Sequence, residues 1–322
     1  MTRRTAAGLS RRGLLGMGAL GVGALAAGCA RGGEAAGARA RPIFVIVHGA
    51  NGNGASYAPL LAALTLAGHR ALAVDLPGHG AAANFPLSYQ APQDLAALAN
   101  EPSPLAGSRL DDNVEHVVAV VRAAAARGQV ILVGHSMGGA TMTRVGNEVP
   151  DLIARLVYLT AFCCVELRSV LECYLTPEAA TSLATTMPSV GGDPQQTGFT
   201  RTNWRSAEPE FLAAAHSSLA EGYDDAAFRA ALNAMEPDEA WAVTTDDARG
   251  EPATWGRIPR TYIRCTRDRT LPLALQDRMI READAATPDN PFEVYDLDAP
   301  HLGPQDPATL TDILIPLANR LN

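Results

Sequence analysis

The feature that most constrains this chain is the run Val130-Ile-Leu-Val-Gly134-His-Ser136-Met-Gly138-Gly139. Four apolar, mostly β-branched residues enter a Gly-x-Ser-x-Gly turn, and a helical pattern, Ala140 to Glu148, leaves it. That order is the strand–turn–helix of a nucleophile elbow, which holds a serine Oγ at the edge of a sheet. Gly134 and Gly138 are expected where a Cβ would crowd the adjoining strand and helix. A bare Gly-x-Ser-x-Gly also arises as an ordinary glycine-rich turn. The two readings part on whether the chain supplies a base, an acid and an anion-binding loop.

Strands and helices alternate on both sides of that run. Ile43 to Val47 is a continuous apolar stretch, as a strand buried on both faces requires. It ends in His48-Gly49-Ala50-Asn-Gly-Asn-Gly54 and leads to a helix over 56–67. Arg70 to Val74 is the next strand, closed by Asp75-Leu-Pro-Gly-His-Gly80, and a polar loop reaches Ser108. Val114, Val117, Val118 and Val121 form a stripe at helical spacing, with Asp111 or Asp112 as the expected cap. Strands are expected over 153–159, 260–265 and 292–297, and helices over 273–283 and 307–320. This alternation predicts an α/β fold, a mostly parallel sheet with helices on both faces. From 165 to 250 the pattern becomes helical (a start at Thr176-Pro177-Glu178, then 208–221 and 224–235), which predicts a helical cap inserted between core segments 42–164 and 251–322.

Within that frame three groups carry chemistry. A serine hydroxyl needs a base to attack at neutral pH, and the base needs a carboxylate to orient it. Such groups gather beyond the carboxyl ends of parallel strands. His301 follows the last strand by four residues and is the expected base. Asp268, three residues after the 260–265 strand, is the expected acid, with Glu166 and Asp296 as fallbacks. The order Ser136, Asp268, His301 suits a strand–turn–helix nucleophile on such a sheet. For the oxyanion, Met137 N–H and Ala50 N–H are the expected donors. No metal or organic cofactor is implied.

Val47-His-Gly-Ala50, Asp75 to Gly80, Gly134-His-Ser-Met-Gly-Gly139, Cys265-Thr-Arg-Asp-Arg269 with Leu271-Pro-Leu-Ala-Leu-Gln276, and Pro300-His-Leu302 together resemble the α/β-hydrolase family. The similarity is to its branch of methylesterases, hydroxynitrile lyases and bacterial esterase relatives, and it covers about 42–320 except the cap. It implies Ser136, Asp268 and His301 as a triad, with Ala50 and Met137 as oxyanion donors. Lyases of that branch carry threonine at the position of Gly49 and lysine at the position of Leu302, so the departures favour ester hydrolysis over cyanohydrin cleavage. A tryptophan common after the first loop is replaced by Tyr57. Carbon–carbon cleavage on the same triad and a non-catalytic ligand-binding homologue are the alternatives. The implied partner is a small-molecule ester, and Trp204, Phe211, Met235 and Trp241 are equally placed as cap core or pocket wall.

Composition narrows the rest. All 26 basic residues are arginine and the net charge is −8. Schiff-base chemistry is therefore excluded, and with no basic run outside the N-terminus nucleic acid is a poor partner. Ser10-Arg11-Arg12-Gly-Leu-Leu15 with the apolar stretch to Ala27 is a twin-arginine export pattern over 1–30, too short to span a membrane, followed by a small-residue linker over 31–41. Leu25-Ala-Ala-Gly-Cys29 resembles a lipobox, so Cys29 is a candidate lipid anchor; cleavage after Ala30 competes with it. Export would permit disulfides among Cys163, Cys164, Cys173 and Cys265, a bridge to Cys173 competing with buried free thiols.

Overall fold

The structure, a computed structural model, describes residues 41–321. The export pattern, Cys29 and the linker up to residue 40 lie outside the described residues. Strands β1 (Ile43–Val47), β2 (Arg70–Val74), β3 (Val130–Ser136), β4 (Ile153–Ala161), β7 (Arg260–Cys265) and β8 (Glu293–Leu297) form one sheet, in the order β2-β1-β3-β4-β7-β8. Every pairing in it is parallel. The short strands β5 (Phe199–Arg201) and β6 (Asp238–Ala240) pair antiparallel in a separate ribbon.

Strand pleating divides the core. Ile43, Val45 and Val47 of β1, with Val130 and Leu132 of β3, pack on one face, and Phe44, Ile46, Ile131 and Val133 pack on the other. Helix α1 (Ala58–Leu66) precedes β2, and the short α2 (Leu95–Asn100) interrupts the loop after it. Helices α3 (Leu110–Ala125) and α4 (Gly138–Glu148) cover the first face through Val114, Val117, Val121, Met142 and Val145. The insertion holds α5 (Val170–Tyr174), α6 (Pro194–Thr197), α7 (Pro209–Leu219), α8 (Asp225–Ala234) and α9 (Trp241–Thr245). Helix α10 (Leu273–Ala286) joins the first face, while α1 and α11 (Pro307–Asn319) cover the second through Leu60, Leu64, Leu310, Leu314 and Leu317. Among the described residues no helix is long and apolar enough to cross a membrane.

Three expectations change. The insertion is not purely helical, because β5 and β6 run through it. Each has only three residues, and Arg201 and Asp238 are charged yet almost fully buried against each other, so neither length nor hydropathy marks a strand. Helix α3 begins at Leu110 with Arg109 at its N-cap position, and Asp112 Oδ2 instead accepts Arg109 N–H at 2.8 Å from the third helical position. Pro177 opens one 3-10 turn rather than a longer helix.

The strand order also places the site. From β1 the sheet grows to β2 on one side and to β3 on the other, so the loops leaving β1 and β3 flank a crevice at the carboxyl edge, where open α/β sheets bind ligands. Ala50 lies in the loop after β1 and Ser136 ends β3, while Asp268 and His301 follow β7 and β8 along the same edge.

Candidate active site

Ser136 ends β3 with φ of 52°, a left-handed conformation for a non-glycine residue. The turn closes only because Gly138 has no side chain. A Cβ there would lie 2.5 Å from His48 O and 2.6 Å from Val47 O. Gly49 is similarly constrained, since a Cβ on it would come within 2.7 Å of Ser136 Cβ. Backbone from β1 therefore passes directly beside the serine.

The structure brings Ser136, His301 and Asp268 into one hydrogen-bonded chain. His301 Nε2 lies 2.9 Å from Ser136 Oγ and His301 Nδ1 lies 2.6 Å from Asp268 Oδ2. All three residues are buried. Asp268 Oδ1 accepts Thr270 N–H at 2.8 Å and Leu271 N–H at 2.7 Å, while Oδ2 also accepts the Thr160 hydroxyl at 2.5 Å. The carboxylate thus accepts three donors besides the bond to His301 Nδ1, which fixes its orientation. The fallback acids lie elsewhere: Glu166 is exposed, and Asp296 is exposed and bonded to Arg264.

A second histidine fixes the loop that carries the first. His135 donates Nε2–H to His301 O at 2.8 Å, and its Nδ1 lies 3.0 Å from Tyr57 OH. Burial, reinforced by His301, pushes the His135 pKa down to about 4, so at neutral pH Nδ1 is free to accept the Tyr57 hydroxyl proton. Tyr57 is therefore a hydrogen-bonding residue as well as a packing one.

Neither Ala50 N–H nor Met137 N–H has an acceptor among the described residues. Both residues line a cavity of about 950 Å³ together with Ser136 and His301. His48 accepts Leu76 N–H on Nε2 at 3.1 Å, so its Nδ1 carries the proton and donates to Gly49 O at 2.8 Å. Burial, with His79 second, lowers the His48 pKa and keeps that tautomer neutral.

The cavity lies between the sheet edge and the insertion. Leu171, Tyr174, Met187, Trp204, Met235 and Trp241 line it, whereas Phe211 belongs to the core of the insertion, where it meets Trp204 edge-on at 6.0 Å. Among the described residues its lining includes no arginine, and Glu239 is the one carboxylate there. Glu239 is one of three ionisable groups that sequence reasoning missed. His79 Nδ1 lies 2.8 Å from Glu236 Oε2 and Nε2 lies 3.6 Å from Glu239 Oε1, all buried. Burial opposes protonation of His79, but its bonds to Glu236 and then Glu239 outweigh that and raise its pKa to about 10. Burial penalises the Glu239 carboxylate, but His79, with Asn51 N–H and His48 behind it, outweighs that, so its pKa falls. The only sequence signal was an acidic cluster, Glu236-Pro-Asp-Glu239, in an otherwise unassigned stretch. Among the described residues no group of three His, Cys, Asp or Glu side chains is arranged to hold a metal ion.

All four cysteines among the described residues are free and buried. Cys164 and Cys173 come to 3.9 Å between sulfurs, well beyond the ~2.05 Å of a disulfide.

The alpha/beta hydrolase family model matches residues 44–313. The chain belongs to that family. Among curated relatives, a pyrethroid hydrolase of Sphingobium wenxiniae is 35% identical over 36% of this chain and 35% of its own length. A probable esterase of Oryza sativa subsp. indica is 34% identical over 37% of this chain and 38% of its own length. These matches thus span little more than a third of either relative. Among solved structures, a pyrethroid hydrolase from Sphingobium faniae JZ-2 superposes with a TM-score of 0.64, 23% identity, and coverage of 86% of this chain and 97% of that one. That likeness concerns the fold.

Proposed function

We propose that this protein is an exported serine carboxylesterase acting on small or medium neutral esters. The observation that carries the reading is the chain Ser136 Oγ–His301–Asp268, opening onto a cavity beside two backbone N–H groups that have no acceptor among the described residues. His301 Nε2 takes the Ser136 proton as Oγ attacks the ester carbonyl. The oxyanion that forms is met by Ala50 and Met137 N–H, and the alcohol departs with the proton held on His301. Water, deprotonated by the same imidazole, then releases the acid from the acyl-enzyme. The curated relatives named esterase and hydrolase support this chemistry.

Two features support neutral substrates of some size. Among the described residues no arginine lines the cavity to pair with a free carboxylate. Its volume of about 950 Å³ lies near the top of the ~300–1,000 Å³ range of drug-sized pockets. Cyanohydrin lysis lacks its cation, because Leu302 packs against the core of the insertion and the chain contains no lysine. The twin-arginine pattern supports export, with Cys29 as candidate anchor; replacing Arg11 and Arg12 by lysine should retain the protein in the cytoplasm, as fractionation would read.

The decisive assay is p-nitrophenyl acetate and butyrate turnover by the protein and by Ser136→Ala. Turnover should vanish in the variant; equal rates would sink the proposal. Mandelonitrile should yield no Ser136-dependent cyanide. Binding of neutral esters without turnover by the unaltered chain would point to a receptor instead.

A further inference from the structure

The loop that carries the oxyanion donor is gripped on both sides of Ala50. On its N-terminal side, Gly49 O belongs to the same peptide group as Ala50 N–H and is held by His48 Nδ1–H at 2.8 Å. On its C-terminal side, Asn51 N–H donates to Glu239 Oε2 at 2.9 Å. Asn51 itself stands at φ of 55°, a left-handed conformation that the surroundings must enforce. Its side chain donates to Glu236 O, also at 2.9 Å, and its carbonyl accepts Glu236 N–H at 2.9 Å. Two consecutive peptide planes are thereby pinned, and the Ala50 N–H direction with them.

The grip is electrostatically costly. Glu236, Glu239 and His79 are all buried, and burying such groups is usually no more stabilising than packing apolar side chains of equal volume. The arrangement is instead suited to position. Glu239 Oε1 faces His79 Nε2 and also accepts its neighbour Ala240 N–H at 3.0 Å, which leaves Oε2 aimed at Asn51. Glu239 comes from β6 in the insertion and His79 from the loop after β2, so the two elements meet at the loop after β1. An anion hole stabilises charge only if its donors are already aimed when that charge develops.

We propose that Glu239 is a positioning residue for the oxyanion hole: through Asn51 N–H it fixes the peptide geometry from which Ala50 N–H points, with His79 as its counter-group. The proposal rests on the serine-esterase reading above. It makes the insertion part of the device that aims the anion donor, as well as a wall of the substrate cavity.

The test uses the full chain and p-nitrophenyl butyrate. Glu239→Leu, which removes the acceptor, should lower kcat at least tenfold with KM within twofold. Glu239→Gln, which keeps an oxygen for Asn51 N–H, should bring kcat back to within threefold of the parent. Glu239→Asp keeps the charge but shortens the reach; it should show the kcat loss in milder form, so the result does not hang on the leucine variant folding. Inhibition by an alkyl trifluoromethyl ketone, which adds to Ser136 as an oxyanion, should weaken tenfold in the leucine or aspartate variant. Inhibition by the matching methyl ketone should hold. Unchanged kcat in both, or equal weakening of the two ketones, overturns the positioning role. Turnover surviving in Ser136→Ala would instead overturn the esterase reading beneath it.

Discussion

Thr160 illustrates how far the chemistry at the site depends on single residues. It is β-branched, fully buried and held at φ of 37°, a conformation costing roughly 1–3 kcal/mol for such a residue. The register of β3 against β4 slips at this point, pairing His135 with Leu159 and then Ser136 with Ala161. The skipped residue turns its hydroxyl onto Asp268 Oδ2, the oxygen that also faces His301. Losing one such bond to a charged group is worth roughly 1.5–3 kcal/mol. Thr160→Val should therefore lower kcat about tenfold with KM unchanged; steady-state kinetics showing no change would refute it. Asp268→Asn should reduce kcat by roughly 10⁴-fold, because the imidazole tautomer is no longer held. Circular dichroism should show its fold intact.

Among the elements, the β5–β6 ribbon depends most on one pair. Arg201 Nε and Nη2 bond Asp238 Oδ1 and Oδ2 at 2.5 and 2.7 Å, and Arg201 Nη1 reaches Leu98 O and Glu101 O in and after α2. The ribbon is thereby tied to the loop that follows β2, and Asp238 lies next to Glu239. Breaking a buried pair on one side costs about 3–5 kcal/mol. Arg201→Met should lower stability by about that much in urea unfolding, and Asp238→Leu on top of it should recover part of the loss. Additive losses in the double variant would contradict a coupled pair. The elbow depends on space rather than charge. Gly138→Ala would force a Cβ against two backbone oxygens of β1 and its loop, so the variant should be inactive and less stable.

At the scale of the molecule, two buried histidines bound the useful pH range from opposite sides. His135 has a depressed folded pKa, about 4 against ~6.5 when unfolded. Its contribution is present above pH ~6.5 and lost as pH falls through about 4, on the order of 3 kcal/mol in all. His79 runs the other way. Its folded pKa is raised to about 10, so its contribution is complete below pH ~6.5 and lost as pH rises through about 10. The melting temperature should peak near pH ~6.5 and decline on both sides. His79→Gln should flatten the alkaline decline and leave the acid one. An unchanged alkaline slope in that variant would show that His79 is not the group responsible.

The sequence by itself determined the parallel sheet, because apolar strands alternating with periodic helices admit few other packings. The serine, histidine and aspartate that the structure bonds together were also readable, since each stands at a local landmark: a glycine-bounded turn after β3, and short loops after β7 and β8. What lay beyond it shares one physical property, in that charge or strain is cancelled by a partner distant in the chain. Arg201 and Asp238 read as surface residues until each neutralises the other. Glu239 reads as solvated until His79, 160 positions earlier, meets it in the interior. Thr160 reads as an ordinary strand residue until a register slip turns its hydroxyl onto Asp268. Period and propensity report on neighbours along the chain; only the tertiary structure decided which buried charges would meet.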